Sequence, residues 1–580
     1  MTSRSRIVPD GIRSPRPAAT DARLLVALAA LLLPASEALA QVIDRPADDL
    51  PELPSIEQPA PPRPILPPVP TTPLPREQLS AGPGVFVESY RIQGSRVFSL
   101  LQLEGAVAPW AGREIDVEDL VSVRNALTRL YIANGYVNSG ATLPDQDFEG
   151  GVVVVRIVEG SLGDIRISDN EQFRDGYLRD RVALGAETPL DVKKLERQLQ
   201  ILQLDPRITQ VVARLAPGDR RGEATLFLRI EEAPRVAIDV HFNDYEPPSI
   251  GALAGVFEGG YANLIGWGDT LESEFTISEG LKRYRGLYEI PLTRWDTRLS
   301  LDARYASSRV VEKPFDDLDI ASTFQSYQIG LHQPVYKTPG ALVELGLIGD
   351  WRQSETELDG SSVSFPGSGA NDGKATAAVL RFLVETLLRD QSQVLAARSQ
   401  LSVGLDVLNA TRNPGREPDG TFVAWLLQLQ WARRFAFLDI ETIFRTDLQL
   451  STEPLLTMEQ IAVGGHGTVR GYRENQFVQD QGVVSSLELR VPLWRQPKLG
   501  SAVVLAPFVD YGRTWSHGKR TGDREKSLAS AGVGLRWALS RFLDARIYWG
   551  KQLTDVETTG DLQDHGVQFQ ISGHLGRGQR

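Results

Sequence analysis

The chain has 580 residues, 42% of them hydrophobic and 23% charged, with no cysteine, two methionines and 36 prolines. Zero cysteine excludes a disulfide framework, thiolate metal sites and cysteine catalysis, and a net charge of −12 argues against nucleic acid, whose binding needs a positive surface to displace counterions. A mean hydropathy of −0.19 argues against a bundle of membrane helices but leaves open a transmembrane β-barrel, whose alternating strands average out to a soluble-looking value.

Residues 1–40 read as a secretory signal peptide. Arg13, Arg16 and Arg23 precede the apolar run Leu24–Leu33, and Ala38-Leu39-Ala40 places small residues at the cleavage positions. The run is too short to cross about 30 Å of hydrocarbon as a helix. Residues 41–83 form a linker whose prolines crowd positions 46–75. Lacking backbone donors, such a stretch stays extended as a semi-rigid spacer and leaves little room for a long N-terminal helix before the first domain.

Residues 84–159 change pattern. Phe86–Ile92 alternates as a strand, Ser99–Val107 has helical spacing, and Leu120, Val123, Leu127, Leu130 and Tyr131 mark a clearer helix over Val117–Ile132. Val137–Leu143 and Val152–Val158 follow as strands, giving the order β-α-α-β-β. Residues 160–234 repeat it, with strand character at Ile165 and Ile167, helices over Phe173–Leu184 and around Val192–Leu202, and strands at Val211–Leu215 and Ala224–Ile230. The two final strands align residue by residue, Val153–Glu159 with Leu226–Glu232, at an offset of 73 residues. Two copies indicate tandem domains rather than a solenoid, which needs three or more repeats. The order and its ending resemble the POTRA domain, a periplasmic polypeptide-binding module; taken alone they fit a plain structural pair of α+β domains equally.

From 235 to 580 the helical period is gone. About sixteen segments with period-two alternation, near 236, 253, 269, 283, 298, 321, 342, 375, 394, 422, 437, 483, 502, 528, 543 and 566, are separated by Gly, Asp, Asn and Pro clusters. Val567, Phe569 and Ile571 alternate with Gln568, Gln570 and Ser572, and Leu487, Leu489 and Val491 with Ser486, Glu488 and Arg490. The apolar face suits either a second sheet or lipid. Long segments, charged inner-face pairs such as Asp302/Arg304, Glu441/Arg445 and Asp544/Arg546, and tryptophans near segment ends (Trp494, Trp537, Trp549) favour a transmembrane antiparallel β-barrel. Short connections, including Glu279–Gly280, Pro291–Trp295 and Ser540–Arg541, are expected on the periplasmic side. Long ones, including Arg352–Lys374 and Ser451–Gln481, are expected outside.

The longest late connection contains Gly464-Gly465-His466-Gly467-Thr468-Val469-Arg470-Gly471-Tyr472. It is not a phosphate loop: no helix start follows and the GK[ST] ending is missing. An arginine in a loop folded into a wet barrel can bind a wall carboxylate through two parallel hydrogen bonds. Read without the barrel, Arg470 is an ordinary surface-loop arginine. The six histidines form no HExxH or i, i+4 pair and no nucleophile elbow occurs, so no catalytic, cofactor-binding or metal-binding residue is assigned and an enzyme is not expected.

Val469, Arg470, Gly471 and Tyr472 resemble the inward-folded loop of POTRA-bearing outer-membrane pores, and Phe508, Asp510 and Gly512, within Phe508-Val509-Asp510-Tyr511-Gly512, resemble its F-x-D-x-G partner. The resemblance implies that Asp510 is the wall-side acceptor for Arg470, with Gly471 allowing a tight turn and Tyr472 packing beside it. With two POTRA-like domains ahead of the barrel, residues 84–580 resemble the two-partner-secretion transporter family of TpsB type, the haemolysin secretion/activation proteins. The resemblance implies a transmembrane antiparallel β-barrel of about sixteen strands preceded by two α+β POTRA domains. It places them in the outer membrane of a Gram-negative bacterium, with the POTRA domains in the periplasm. It implies an outer-membrane pore that recognises an unfolded exoprotein (TpsA-like, β-helical) and moves it to the cell surface. Outer-membrane lipid and the barrel assembly machinery are the other implied partners. Alternatives are an outer-membrane protein assembly or insertion factor, which commonly carries three or more POTRA domains, and a passive porin, which needs neither the tandem domains nor the motif pair. Two departures from the family are that no plug helix is evident before the proline-rich stretch, and that the chain ends in Gly576–Arg580 rather than on an aromatic residue.

Overall fold

A computed structural model of the chain describes residues 65–66 and 84–576, apart from 147–148, 366, 416, 437–438, 519–524 and 557–559. The expected signal peptide, nearly all of the proline-rich stretch, any plug helix and residues 577–580 lie outside the described residues.

The first α+β unit consists of β1 (Val85–Val87), β2 (Ser89–Gln93), α1 (Leu100–Val107), β3 (Arg113–Ile115), α2 (Val117–Ala133), β4 (Gly140–Thr142) and β5 (Val152–Val158). The expected Phe86–Ile92 strand is broken at Glu88, which lets β1 pair with the unanticipated β3 while β2 runs parallel to β5. Helix α2 starts at a reciprocal capping box between Asp116 and Asp119 and buries Val123, Leu127 and Tyr131, spaced four residues apart, against the sheet. The second unit consists of β6 (Ser161–Ser168), α3 (Asp175–Ala183), α4 (Val192–Gln203), β7 (Ile208–Pro217) and β8 (Glu223–Glu232). Its sheet order β6-β8-β7, with β6 parallel and β7 antiparallel to β8, repeats the β2-β5-β4 order of the first. Ile65 and Leu66 lie against this unit: their backbone N–H groups donate to the Glu196 carboxylate at 2.8 and 2.9 Å, and Leu66 joins the apolar core.

The rest of the chain is a closed antiparallel barrel of sixteen strands. They are β9 (Val236–Asn243), β10 (Ala254–Ala262), β11 (Thr270–Ile277), β12 (Leu281–Pro291), β13 (Arg298–Arg309), β14 (Ile320–Thr338), β15 (Ala341–Leu358), β17 (Lys374–Arg389), β18 (Gln393–Leu405), β19 (Val423–Phe435), β20 (Ile440–Ser451), β23 (Gln481–Gln496), β24 (Ser501–Trp515), β25 (Lys526–Ser540), β26 (Leu543–Gln552) and β27 (Val567–Leu575). The two-residue β16 (Ser361–Ser362) extends the β15 hairpin, and β21 (Ile461–Val463) and β22 (Phe477–Gln479) form a separate ladder within the long loop. The ring closes where β27 pairs with β9 over six residue pairs, Gln570↔Asn243 to Leu575↔Ile238.

Burial along the strands is inverted relative to a soluble sheet. On β13, Asp302 and Arg304 are buried while Leu301 and Tyr305 are 44% and 45% exposed. Charges inside and aliphatic and aromatic side chains outside are stable only if the outer face meets hydrocarbon. No helix among the described residues is long and apolar enough to cross a membrane.

The second α+β unit sits on one rim. The backbone N–H of Arg174 donates to Gly266 O at 3.0 Å in the β10–β11 turn, and Arg181 reaches Asp296 and Thr293 in the β12–β13 turn. This fixes which connections lie at the domain end. The two-residue 541–542 and 339–340 turns lie there, and the long 359–373 and 452–480 connections at the far end. Glu279–Gly280, expected among the domain-end turns, lies at the far end instead, because it joins β11 to β12 one crossing after the β10–β11 turn. Chain alternation in a barrel overrides loop length.

Candidate functional site

The 452–480 connection folds back into the barrel instead of projecting from it. Its base is the β21/β22 ladder, and Asp480 ties that base together by accepting from Leu455 N at 3.0 Å, Gln460 Nε2 at 2.9 Å and His517 N at 2.8 Å. The glycine-rich tip, Gly464 to Tyr472, crosses to the inner wall of β23–β26.

Arg470 and Asp510 meet there. The guanidinium donates from Nε to Asp510 Oδ2 at 2.9 Å and from Nη2 to Oδ1 at 3.0 Å, the two-bond fork that suits arginine and carboxylate. The Arg470 backbone N–H adds a third bond to Oδ2 at 3.0 Å. Nη1 donates to Glu488 on β23, and Nη2 to Ser486 Oγ at 3.0 Å, which in turn donates to Asp510 Oδ1 at 2.6 Å. The guanidinium carbon lies 3.8 Å from the centre of the Phe508 ring and 5.0 Å from that of Tyr548, so the cation is also held against two aromatic faces.

The remaining motif residues shape the approach. Gly471 has φ +91°, and a Cβ on it would sit 2.7 Å from Gly550 O, so only glycine fits between the loop and β26. A Cβ on Gly512 would lie 2.3 Å from Val463 Cγ1 and 2.8 Å from Val469 Cγ2; the missing side chain is the space the loop fills. Tyr472 is buried with Val463, Val469, Val484 and Leu528, and its hydroxyl lies 2.7 Å from Ala529 O and 3.0 Å from Thr554 O. All seven motif residues therefore converge on one place. His466 stacks on Tyr245 with ring centres 3.7 Å apart and pairs with Glu474. No group of three or more potential metal ligands occurs among the described residues.

Residue patterning missed several members. Ser486 and Glu488 carry the alternation signal for the inner face of β23 but no motif that ties them to Arg470. The inner-face pairs are also partly rearranged: Arg445 binds Asp447 and Asp544 binds His574, while Glu441 lies 3.7 Å from Arg490. The loop has a second set of wall contacts at Glu459, whose carboxylate accepts from Arg381 at 3.0 and 2.7 Å.

Comparisons with known proteins agree with this architecture. The family profile of the haemolysin secretion/activation protein ShlB/FhaC/HecB matches residues 222–537, and that of the POTRA domain, ShlB-type, matches residues 85–160. The chain is similar to the outer membrane transporter CdiB of Dickeya dadantii, at 23% identity over 82% of this chain and 84% of the relative. It is also similar to the heme/hemopexin transporter protein HuxB of Haemophilus influenzae, at 21% identity over 74% of this chain and 76% of the relative. The solved structure of CdiB from Escherichia coli superimposes with a TM-score of 0.64 at 19% identity, covering 97% of this chain and all of that one. With its charged-inside barrel, its rim-docked domains and a profile match over more than half its length, the chain belongs to the haemolysin secretion/activation protein family ShlB/FhaC/HecB, outer-membrane two-partner-secretion transporters whose POTRA domains lie in the periplasm.

Proposed function

We propose that the inward-folded loop is the movable closure of the secretion pore and that Arg470 is its latch. The observation that carries this is the buried Arg470–Asp510–Glu488 cluster inside the lumen, one guanidinium against two carboxylates and two aromatic rings. A cation so placed holds the tip in one position, and removing one partner of a buried pair costs about 3–5 kcal/mol.

The cargo is an exoprotein of TpsA type, β-helical once folded, that arrives unfolded in the periplasm. The edge strands of the two POTRA sheets, with β7 the longest, offer backbone donors and acceptors to an extended segment by strand addition. The segment is then handed to the barrel, the tip shifts, and the chain threads past an inner wall that carries many paired charges. Folding outside the cell biases the direction. Outer-membrane lipid covers the apolar outer face, and the barrel assembly machinery inserts the chain during biogenesis. Two POTRA domains among the described residues, rather than three or more, favour this reading over an assembly or insertion factor.

Replacing Arg470 by alanine tests the latch. Export is expected to fall to a small fraction of wild type while the barrel still reaches the outer membrane in its heat-modifiable form; wild-type export by that variant overturns the reading.

A further inference from the structure

The motif pair accounts for the tip of the loop but not for its base. Leu455, Leu456 and Met458 are fully buried in an apolar cluster with Phe324, Val379 and Phe422 on the inner wall of β14, β17 and the β18–β19 connection. The next residue, Glu459, enters a four-ion cluster on β15 and β17. Arg381 forks onto Glu459 at 2.7 and 3.0 Å and onto Asp350 through Nε at 3.0 Å and Nη2 at 2.8 Å. Arg352 donates to Asp350 at 2.7 Å and to the carbonyl of Met458 at 3.2 Å. All four side chains are buried, and the two arginines balance the two carboxylates. The arrangement reverses the tip: here the loop brings the carboxylate and the wall brings the guanidinium groups. The two clusters lie on different sectors of the ring, one on β15 and β17, the other on β23 and β24.

Base and tip also differ in backbone. The base has a hydrogen-bonded ladder and the Asp480 bonds, whereas Gly464, Gly465, Gly467 and Gly471 fall within eight residues of the tip, and three of them have positive φ. Glycine leaves the backbone free to swing once side-chain contacts let go. We infer that Glu459 is a second, charge-reversed anchor of the loop and its pivot: it holds the base to β15 and β17 while the Arg470 tip leaves the wall. The inference deepens the reading of the loop as a movable closure and rests on it. Glu459 is thus a positioning residue, acting through the backbone it fixes.

A chain without cysteine allows single thiols to report on each part in the full-length protein, in outer-membrane vesicles and without cargo. Val469→Cys marks the tip and Ala462→Cys the base, at side chains 0% and 5% exposed. In an Asp510→Asn background, labelling by a hydrophilic maleimide is expected to rise about tenfold or more at position 469, the change that 1.4 kcal/mol of lost closure brings, and to stay at the wild-type rate at position 462. In a Glu459→Gln background the rate at position 462 rises as well. Equal acceleration of both thiols by Asp510→Asn, or continued protection of position 462 in Glu459→Gln, overturns the pivot. If Glu459→Gln fails to reach the heat-modifiable barrel, Arg381→Lys, which keeps the charge and gives up the fork, reads the same contact, and protection of position 462 there likewise overturns it. The labelling pattern is independent of export: a failed pivot leaves the latch standing if Arg470→Ala still blocks secretion, and a failed latch shows as normal secretion by Arg470→Ala.

Discussion

Arg181 of the second POTRA domain and Asp296 of the β12–β13 turn form an ion pair at 2.8 Å, joining the periplasmic domains to the barrel rim. The arginine also lies 3.5 Å from the centre of the Tyr177 ring, and Lys337 from the β14–β15 hairpin binds the other oxygen of Asp296 at 2.6 Å. Arg181→Ala is expected to loosen this joint by about 2–4 kcal/mol, because it leaves a largely buried carboxylate with one partner fewer. Hydrogen exchange in α3 and in residues 292–297 should accelerate while barrel amides stay protected; unchanged exchange in both segments contradicts the joint.

The pH behaviour of that joint follows from its carboxylate. Burial pushes the Asp296 carboxyl up, but Lys337 and Arg181 more than offset this and hold it below the ordinary carboxylate range. A lowered folded-state value means the contribution is complete above the unfolded value, about 3.9, and is lost only as pH falls through the folded one. Exchange protection of 292–297, corrected for intrinsic rates, is therefore expected to be the same at pH 5 and pH 7. A loss of protection at pH 5 that Asp296→Asn abolishes counts against the assignment.

Gly471→Ala should unseat the tip without touching any charge. The new methyl would meet Gly550 O at 2.7 Å with the backbone at φ +91°, a strained placement costing on the order of 1–3 kcal/mol. In planar bilayers the variant is expected to open more often or more widely than wild type, and a wild-type conductance record argues against tight seating at this point.

Phe508→Leu separates the aromatic contribution from the ionic one. It keeps most of the apolar bulk and removes the ring 3.8 Å from the guanidinium, a contact worth about 0.5–2 kcal/mol. Export should fall between wild type and Arg470→Ala; an effect as large as that of Arg470→Ala would point to lost packing rather than lost cation–π attraction.

The two POTRA domains carry the same internal strap. Glu159 accepts from the backbone N–H groups of Arg96 and Val97 at 2.6 and 3.1 Å, and Glu232 from those of Gln172 and Phe173, both at 3.0 Å. Each strap fixes the segment that leads into the domain's first helix, after β2 in one domain and after β6 in the other. Glu159→Gln and Glu232→Gln are each expected to destabilise their own domain by about 1–3 kcal/mol, seen as faster exchange confined to that domain.

How much of this was legible in the sequence depended on how locally each feature is encoded. Strands such as β13, β23 and β27 announce themselves because every second residue answers to lipid or lumen, and the sixteen segments fall where the barrel strands are. The three-residue β3 has no period to read, and the break at Glu88 is visible only once β1 finds β3 across the domain. Arg470 and Asp510 were legible through motifs flanking each of them. Glu459 was not: its partner Arg381 lies 78 residues earlier, on β17, and no motif flanks either residue. Barrel register, which no local pattern reveals, brings the two together.

The six-pair seam between β27 and β9 has a consequence for the order in which the molecule is made. The bond from Gln570 to His241 and that from His574 to Asp239 join residues 329 and 335 positions apart. The first barrel strand is synthesised long before its outer partner exists. Until the last hairpin arrives, β9 is a strand edge with open donors and acceptors, a state hydrocarbon does not tolerate and which invites pairing with any other chain. The seam therefore makes the barrel acceptable to hydrocarbon only as a whole: until the last strand is paired with the first, the ring keeps an open edge.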